Sequence, residues 1–320
     1  MAKLRSAWRF CNLVLVLAAL PVLLHADYRV EKHLKLEAGG RLVVDSSEGS
    51  VRVSGSTESG AQVIVTTNRD DINQLFDFNY EEHAGEVKIT ARRRHPWGWN
   101  LGHGINLHFE VTVPQETSVE VKTGGGSVEV SRIKRETELD TSGGSIRASD
   151  LGANLRAHTS GGGIQLEEVG GNARVDTSGG DIRAGSLGGS LEARTSGGSI
   201  DLRAVKGDLL AHTSGGSIRV EDAGGRVNAD TSGGSVDVSF ARGNSHGGEV
   251  ESSGGGVRVR LDPSANLDLD ASSSSGPVIN GLPIRVSGTL SRSHLVGSIG
   301  SGGPSLRVHS SGGSVHIEAL

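Results

Sequence analysis

The stretch TSGGSIRASDLGANLRAH, Thr141–His158, decides the fold because it recurs. TSGG-type segments begin at Thr141, Thr159, Thr177, Thr195, Thr213 and Thr231, and TGGGSV begins one step earlier at Thr123. Every interval is 18 residues. The next copy, SSGGGV, starts at Ser252 after 21 residues, with the extra length in Gly243–Gly248, and a late copy, SSGGSV, starts at Ser310. Self-similarity at a fixed period marks a repeat architecture.

Numbered from the Thr, apolar residues occupy positions 6, 8, 11, 15 and 17. Position 6 reads Val128, Ile146, Ile164, Ile182, Ile200, Ile218 and Val236. The spacing of two within each half is strand alternation, not the period of a helix. Each coil therefore holds two short strands, at positions 5–9 and at 14–18 plus the Thr. Glycines at 3–4 and near 12–13 turn the corners, where they tolerate positive φ and let stacked backbones approach. The fold class is all-β, a single-stranded parallel β-solenoid. Its coils are about 20 Å wide and stack about 4.8 Å apart, right-handed by the usual crossover preference.

The outward positions support the same register. Position 7 reads Glu129, Arg147, Gln165, Arg183, Asp201, Arg219, Asp237 and then Arg258 in the longer copy. In-register parallel stacking superposes these side chains, and opposite signs are the favourable order.

The N-terminus reads as a secretory signal spanning residues 1–26: Lys3, Arg5 and Arg9, then an apolar run from Leu13 to Leu20, then Pro21 and a short end at His25-Ala26. About 20 apolar residues are needed to span a bilayer, and this run is shorter. A retained anchor is the alternative. Cleavage removes three bases and no acid, taking the formal charge from −5 to −8. That acidity argues against nucleic-acid binding. Cys11, the sole cysteine, lies inside the signal and lacks a lipobox, so the exported chain has no disulfide and no cysteine metal site. The expected location is periplasm, cell surface or medium, with no membrane span after cleavage.

Residues 27–122 alternate without the 18-residue period and read as an N-terminal β region capping the solenoid, with strands at 34–36, 42–44, 51–53, 63–65, 87–89 and 107–113. Residues 123–261 form the regular coils. Residues 262–320 are irregular C-terminal coils, with Ser272–Ser275 at a turn and Val315-His316-Ile317 as the closing strand. Such caps cover sheet edges that otherwise invite aggregation.

The TSGGSI units, EGSVRVSG (Glu48–Gly55), VTVPQETSVEVKTGGGSVEV (Val111–Val130) and the tail LVGSIGSGGPSLRVHSSGGSVHIEAL (Leu295–Leu320) resemble the bacterial DUF4097 family, labelled "putative adhesin". The resemblance spans nearly the whole exported chain. It implies an envelope β-solenoid with an adhesive or scaffolding role and carries over no catalytic residues.

No catalytic constellation, cofactor motif or metal-ligand spacing stands out. Asp150 and Glu168 share position 10 of adjacent coils beside Glu167; a weak Ca²⁺ site or an acid pair is the alternative, and an exposed acidic turn relieved by Arg132 is the expected reading. His158 and His212 share a column three coils apart, about 14 Å at ~4.8 Å per coil, too far to share an ion. The serines are turn residues, none in a GxSxG elbow. The nonapeptide calcium repeat and the hexapeptide left-handed helix both fail on spacing, and an ice-binding Thr column is excluded because alternation turns position 1 inward. One segment concentrates recognition chemistry: Arg92-Arg93-Arg94-His95-Pro96-Trp97-Gly98-Trp99. Arg92, Arg93, His95, Trp97 and Trp99 are the candidate ligand contacts, since arginine beside aromatic rings suits sugars and anionic polymers. The alternative is a long hairpin loop whose tryptophans cover the first coil. The expected protein is non-enzymatic, with an envelope polysaccharide or a surface protein as partner and an open oligomeric state. The rival is a polysaccharide lyase or hydrolase on a β-helix, which an acidic groove would favour.

Overall fold

A computed structural model describes residues 28–94 and 105–320. The first part of the chain forms β1 (Tyr28–Leu34), β2 (Arg41–Ser46), β3 (Ser50–Ser56), β4 (Ala61–Thr67), a four-residue helix (Ile72–Leu75), β5 (Phe76–His83), β6 (Glu86–Arg93), β7 (Leu107–Pro114), β8 (Ser118–Thr123) and β9 (Val128–Ile133). The regular coils follow, from β10 (Thr137–Thr141) and β11 (Ile146–Leu151) in 18-residue steps to β20 (Val227–Thr231) and β21 (Val236–Phe240). The chain closes with β22 (Gly248–Ser252), β23 (Val257–Leu261), β24 (Leu267–Ser273), β25 (Val278–Asn280), β26 (Ile284–Leu290), β27 (His294–Ile299), β28 (Ser305–Ser310) and β29 (Val315–Ala319).

The strands assemble into a 14-stranded sheet A and a 15-stranded sheet B. Throughout the regular coils the pairing is parallel at a displacement of 18 residues: Ile146 pairs with Ile164, and Ile164 with Ile182. All three are buried in one stripe of the core between the sheets. The β-solenoid expected from the period is the fold observed.

The strands in sheet A run one corner further than expected, over positions 6–11. The residue at position 10 explains this. Arg132, Asp150, Glu168, Ser186, Ala204 and Asp222 all adopt φ between 49 and 59°. That left-handed kink places positions 9 and 10 both outward and returns position 11 to the core, where Ile133, Leu151, Val169, Leu187, Val205 and Ala223 are buried. The glycine corners were expected to supply both positive φ and close approach. From Gly144 to Gly234 they supply the close approach, at negative or extended φ. A Cβ on Gly144, Gly162, Gly180, Gly198, Gly216 or Gly234 would lie 1.9–2.2 Å from the carbonyl oxygen of the glycine one coil earlier.

Position 1 binds the coils together. The Thr159 hydroxyl donates to the Gly144 carbonyl at 2.7 Å and accepts from the Gly162 N–H at 3.3 Å. The same pair of bonds recurs at Thr141, Thr177, Thr195, Thr213 and Thr231. Buried hydroxyls of this kind need partners, and the column provides them.

Both ends depart from sequence order. The coil β2–β3 is sandwiched between β6–β7 and β8–β9, all in parallel register. At the other end β28–β29 is sandwiched between β22–β23 and β24–β25. The tail Val315–Ile317, expected to close the solenoid, is thus an internal strand. Antiparallel strands form the edges: β1 on β4 in sheet A, β5 on β6 and β26 on β27 in sheet B. The short β25 ends sheet A at the C-terminal side. Ser272 and Ser273 belong to β24, and the turn expected there begins only at Ser274.

The charge columns follow this spatial order. Along position 7 the succession is Glu110, Arg52, Glu129, Arg147. Stacked in sequence order, Glu110 and Glu129 would be neighbours of like sign. At the C-terminal end the spatial succession is Glu249, Arg307, Asp270, where sequence order would juxtapose the two acids. Arg52 pairs with Glu129 at 3.0 Å and Arg307 with Glu249 at 3.3 Å.

Candidate ligand groove

A concavity of about 760 Å³ runs along sheet B over positions 14–16 of consecutive coils. Six coils line it, a length of about 24 Å at ~4.8 Å per step. Its construction follows from three columns. Position 15 supplies the floor strand, whose side chains Leu155, Ala173, Leu191 and Leu209 point into the core. Position 14 supplies a polar ladder at the strand start. Asn154 Oδ1 accepts from the N–H of Asn172 at 2.9 Å, Asn172 Oδ1 from Ser190 at 2.9 Å, Ser190 Oγ from Asp208 at 3.1 Å, and Asp208 Oδ1 from Arg226 at 2.9 Å. Each rung's side chain satisfies a backbone donor of the next, which keeps this edge of the groove straight.

Position 16 supplies the outer wall: Glu138, Arg156, Arg174, Glu192, Leu210 and Asn228. Glu192 holds Arg174 at 3.0 Å and also pairs with Arg194. Arg174 Nε lies 3.3 Å from Asp176. Arg156 and Arg226 line the groove and enter no ion pair with the described residues. Leu210 interrupts the charged column with an apolar side chain. The groove therefore offers amides, hydroxyls, carboxylates, two unpaired guanidinium groups and one apolar contact, all in a line along the axis.

Sequence reasoning did not single out this groove. Its signal was the Asn154, Asn172, Ser190, Asp208 succession, a column of residues that hydrogen-bond backbone through short side chains.

The candidate contacts chosen from sequence fall otherwise. His95, Trp97 and Trp99 lie outside the described residues. Arg92 pairs with Asp45 on β2, Arg93 with Glu48 in the turn between β2 and β3, and Arg94, just past β6, with Asp77 on β5. The flanking strands β6 and β7 belong to different sheets. They are therefore not the two arms of one hairpin, as the alternative reading had them.

Asp150 and Glu168 project outward from the left-handed corner, and Glu167 accepts from Gln165 at 2.8 Å. Arg132 does not relieve them as expected, because its Nε donates to the Gly55 carbonyl at 3.1 Å. His158 lies in register between Asp140 and Asp176, and His212 Nδ1 lies 2.5 Å from Asp230. Among the described residues no three His, Cys, Asp or Glu side chains gather in a metal-holding group. Away from the groove, Glu120 on β8 is held below its ordinary range, chiefly by its bond to Lys122 at 2.5 Å and, after an opposing effect of burial, by Arg41. No helix among the described residues is long and apolar enough to cross a membrane.

The sequence matches the family described as Toastrack DUF4097 over residues 40–318. The chain belongs to the Toastrack DUF4097 family. The match includes the rungs at both ends as well as the regular coils of this Toastrack solenoid. Similar solved structures include a "putative adhesin" from Bacteroides fragilis, at 11% identity over 92% of this chain and 97% of that one, with a TM-score of 0.35. Another is a "putative lipid binding protein" from Parabacteroides distasonis, at 12% identity over 91% and 96%, with a TM-score of 0.41. A third is a "putative cell adhesion protein" from Clostridium sporogenes, at 10% identity over 92% and 100%, with a TM-score of 0.23. No curated protein matches the chain.

Proposed function

We propose that this Toastrack solenoid is an exported, non-enzymatic binding protein of the cell envelope that holds an extended polysaccharide along its axis, as an adhesin or a scaffold does. The observation that carries this reading is the sheet B groove, about 24 Å long at ~4.8 Å per coil, with its hydrogen-bonding groups repeated at every coil. A polymer laid along the axis meets a polar side chain of position 14 at each rung, with position 16 varying from charged to apolar beside it. Long concave surfaces are the usual binding surfaces of solenoids. Arg156 and Arg226 favour a polymer that carries carboxylate or phosphate groups.

The test is retention of the purified chain on immobilised envelope polysaccharides. The double variant Arg156→Ala/Arg226→Ala should weaken retention at unchanged thermal stability. Equal retention of variant and parent would remove the groove from consideration. Appearance of reducing ends or unsaturated sugars during incubation would favour the lyase or hydrolase reading instead.

A further inference from the structure

The large apolar side chains left exposed by the described residues lie at one end of the solenoid. They are Ile279 on β25, Val286 and Leu290 on β26, and the terminal Leu320, with Leu290 68% exposed. β26 is the outermost strand of sheet B, and one of its edges meets no other strand. The segment Val278–His294 carries Arg285, Arg292 and His294 and no acid.

The far edge of the same sheet has the opposite character. β5, FDFNYEEH, carries Asp77, which pairs with Arg94, and Glu81 and Glu82 beside His83, with half-buried Phe78 and Tyr80 among them. The two free edges of one sheet thus set Arg285, Arg292 and exposed aliphatics at one end against Glu81, Glu82 and partly open aromatic rings at the other.

We propose that copies of this chain associate head to tail, with β26 of one molecule docking on β5 of the next. This goes beyond the groove and does not depend on it. An isologous contact between two C-terminal ends would bring Arg285 and Arg292 against their own copies, and like charges disfavour it. The head-to-tail contact joins opposite charges and covers Val286 and Leu290. It is heterologous and does not close, so it propagates into a filament. The pairing of β26 with β27 is irregular between Val286 and Leu290, and an irregular strand favours a contact carried by side chains over a long backbone ladder. The end face, about 20 Å wide and about 10 Å between its two sheets, offers roughly 200 Å² per partner before outward side chains are counted. That is well below the roughly 800 Å² per partner of a standard interface, so association is reversible and concentration-dependent.

Sedimentation velocity of the purified full chain across a concentration series tests this. The weight-average mass should rise with concentration and fall back in 0.5 M salt, about 4 Å of Debye screening. Val286→Lys/Leu290→Lys blocks one end and Glu81→Lys/Glu82→Lys the other. Each should be monomeric alone, with its melting temperature confirming the fold. Mixed together they should form a one-to-one dimer and nothing larger, because each retains one intact end. A parent that stays monomeric overturns the proposal. So does a Glu81→Lys/Glu82→Lys variant that still associates while the β26 variant does not, which is the signature of two C-terminal ends meeting.

Discussion

Arg52 bonds Glu129 at 3.0 Å across 77 residues of sequence, and on its other side it lies in register with Glu110. One arginine between two acids links three coils that the chain visits in the order second, first, third. Inverting that charge places three carboxylates in a row. Arg52→Glu should destabilise by about 1 kcal/mol at low ionic strength, since these side chains are largely exposed, and the loss should shrink with salt. Arg52→Gln, which only deletes the pair, should cost less. Urea midpoints at two salt concentrations check this, and equal loss from the two variants would remove the ladder as an influence on rung order.

The glycine columns divide sharply by contact. A Cβ on Gly180 would meet the Gly162 carbonyl oxygen at 2.1 Å, whereas one on Gly185 meets nothing within 4 Å. Gly180→Ala should therefore cost about 3 kcal/mol, because two packed backbones must separate. Gly185→Ala should be neutral or stabilising by about 0.5–1 kcal/mol through the unfolded chain. Thermal melts of the two variants decide it, and similar melting temperatures would contradict the close-approach account.

The hydroxyl of Thr159 serves two part-buried backbone groups at once. Thr159→Val keeps the shape and removes both bonds, leaving a carbonyl and an N–H unpaired at a cost of about 1–3 kcal/mol. Thr159→Ser keeps the bonds and should lose only about 1 kcal/mol for one methyl group. The protein already contains this second change: Ser252, Ser273 and Ser310 stand in the same column and donate to glycine carbonyls at 2.7–2.8 Å. Chemical denaturation should rank valine below serine, and the reverse ranking would show that methyl packing dominates.

Glu120 links β8 to Arg41 on β2 and to Lys122. Its carboxyl is lowered from the ordinary 4.5 in the folded protein, first by the Lys122 bond. The unfolded chain therefore takes up a proton before the folded one does. The stabilisation is fully present above the unfolded pKa and is lost as pH falls through the folded value. Glu120→Gln should lower stability at pH 7 and flatten its decline below pH 4.5, measured by urea midpoints across pH; an unchanged acid limb would exclude Glu120 as a contributor.

Much of the fold was legible in the residues. Ile146, Ile164 and Ile182 share one stripe because a fixed repeat puts equivalent side chains in equivalent slots. The β5 strand was not legible, because Asp77, Asn79, Glu81 and Glu82 dilute its alternation at a sheet edge. Nor was the left-handed corner: Arg132, Asp150, Glu168, Ser186, Ala204 and Asp222 share a backbone conformation and no side-chain chemistry. The groove's polar ladder was present as a column of short polar residues, yet its value depends on which backbone donors face it. That is a property of stacking.

The sequence by itself determined the period, the two strands per coil, the buried columns and the alternation of charge from coil to coil, because each follows from which residues recur at which spacing. Only the tertiary structure decided which coil lies beside which at the two ends. Coils with matching columns can dock in more than one order. The choice falls to contacts between distant segments, such as Arg52 with Glu129 and Arg307 with Glu249, which no local pattern encodes.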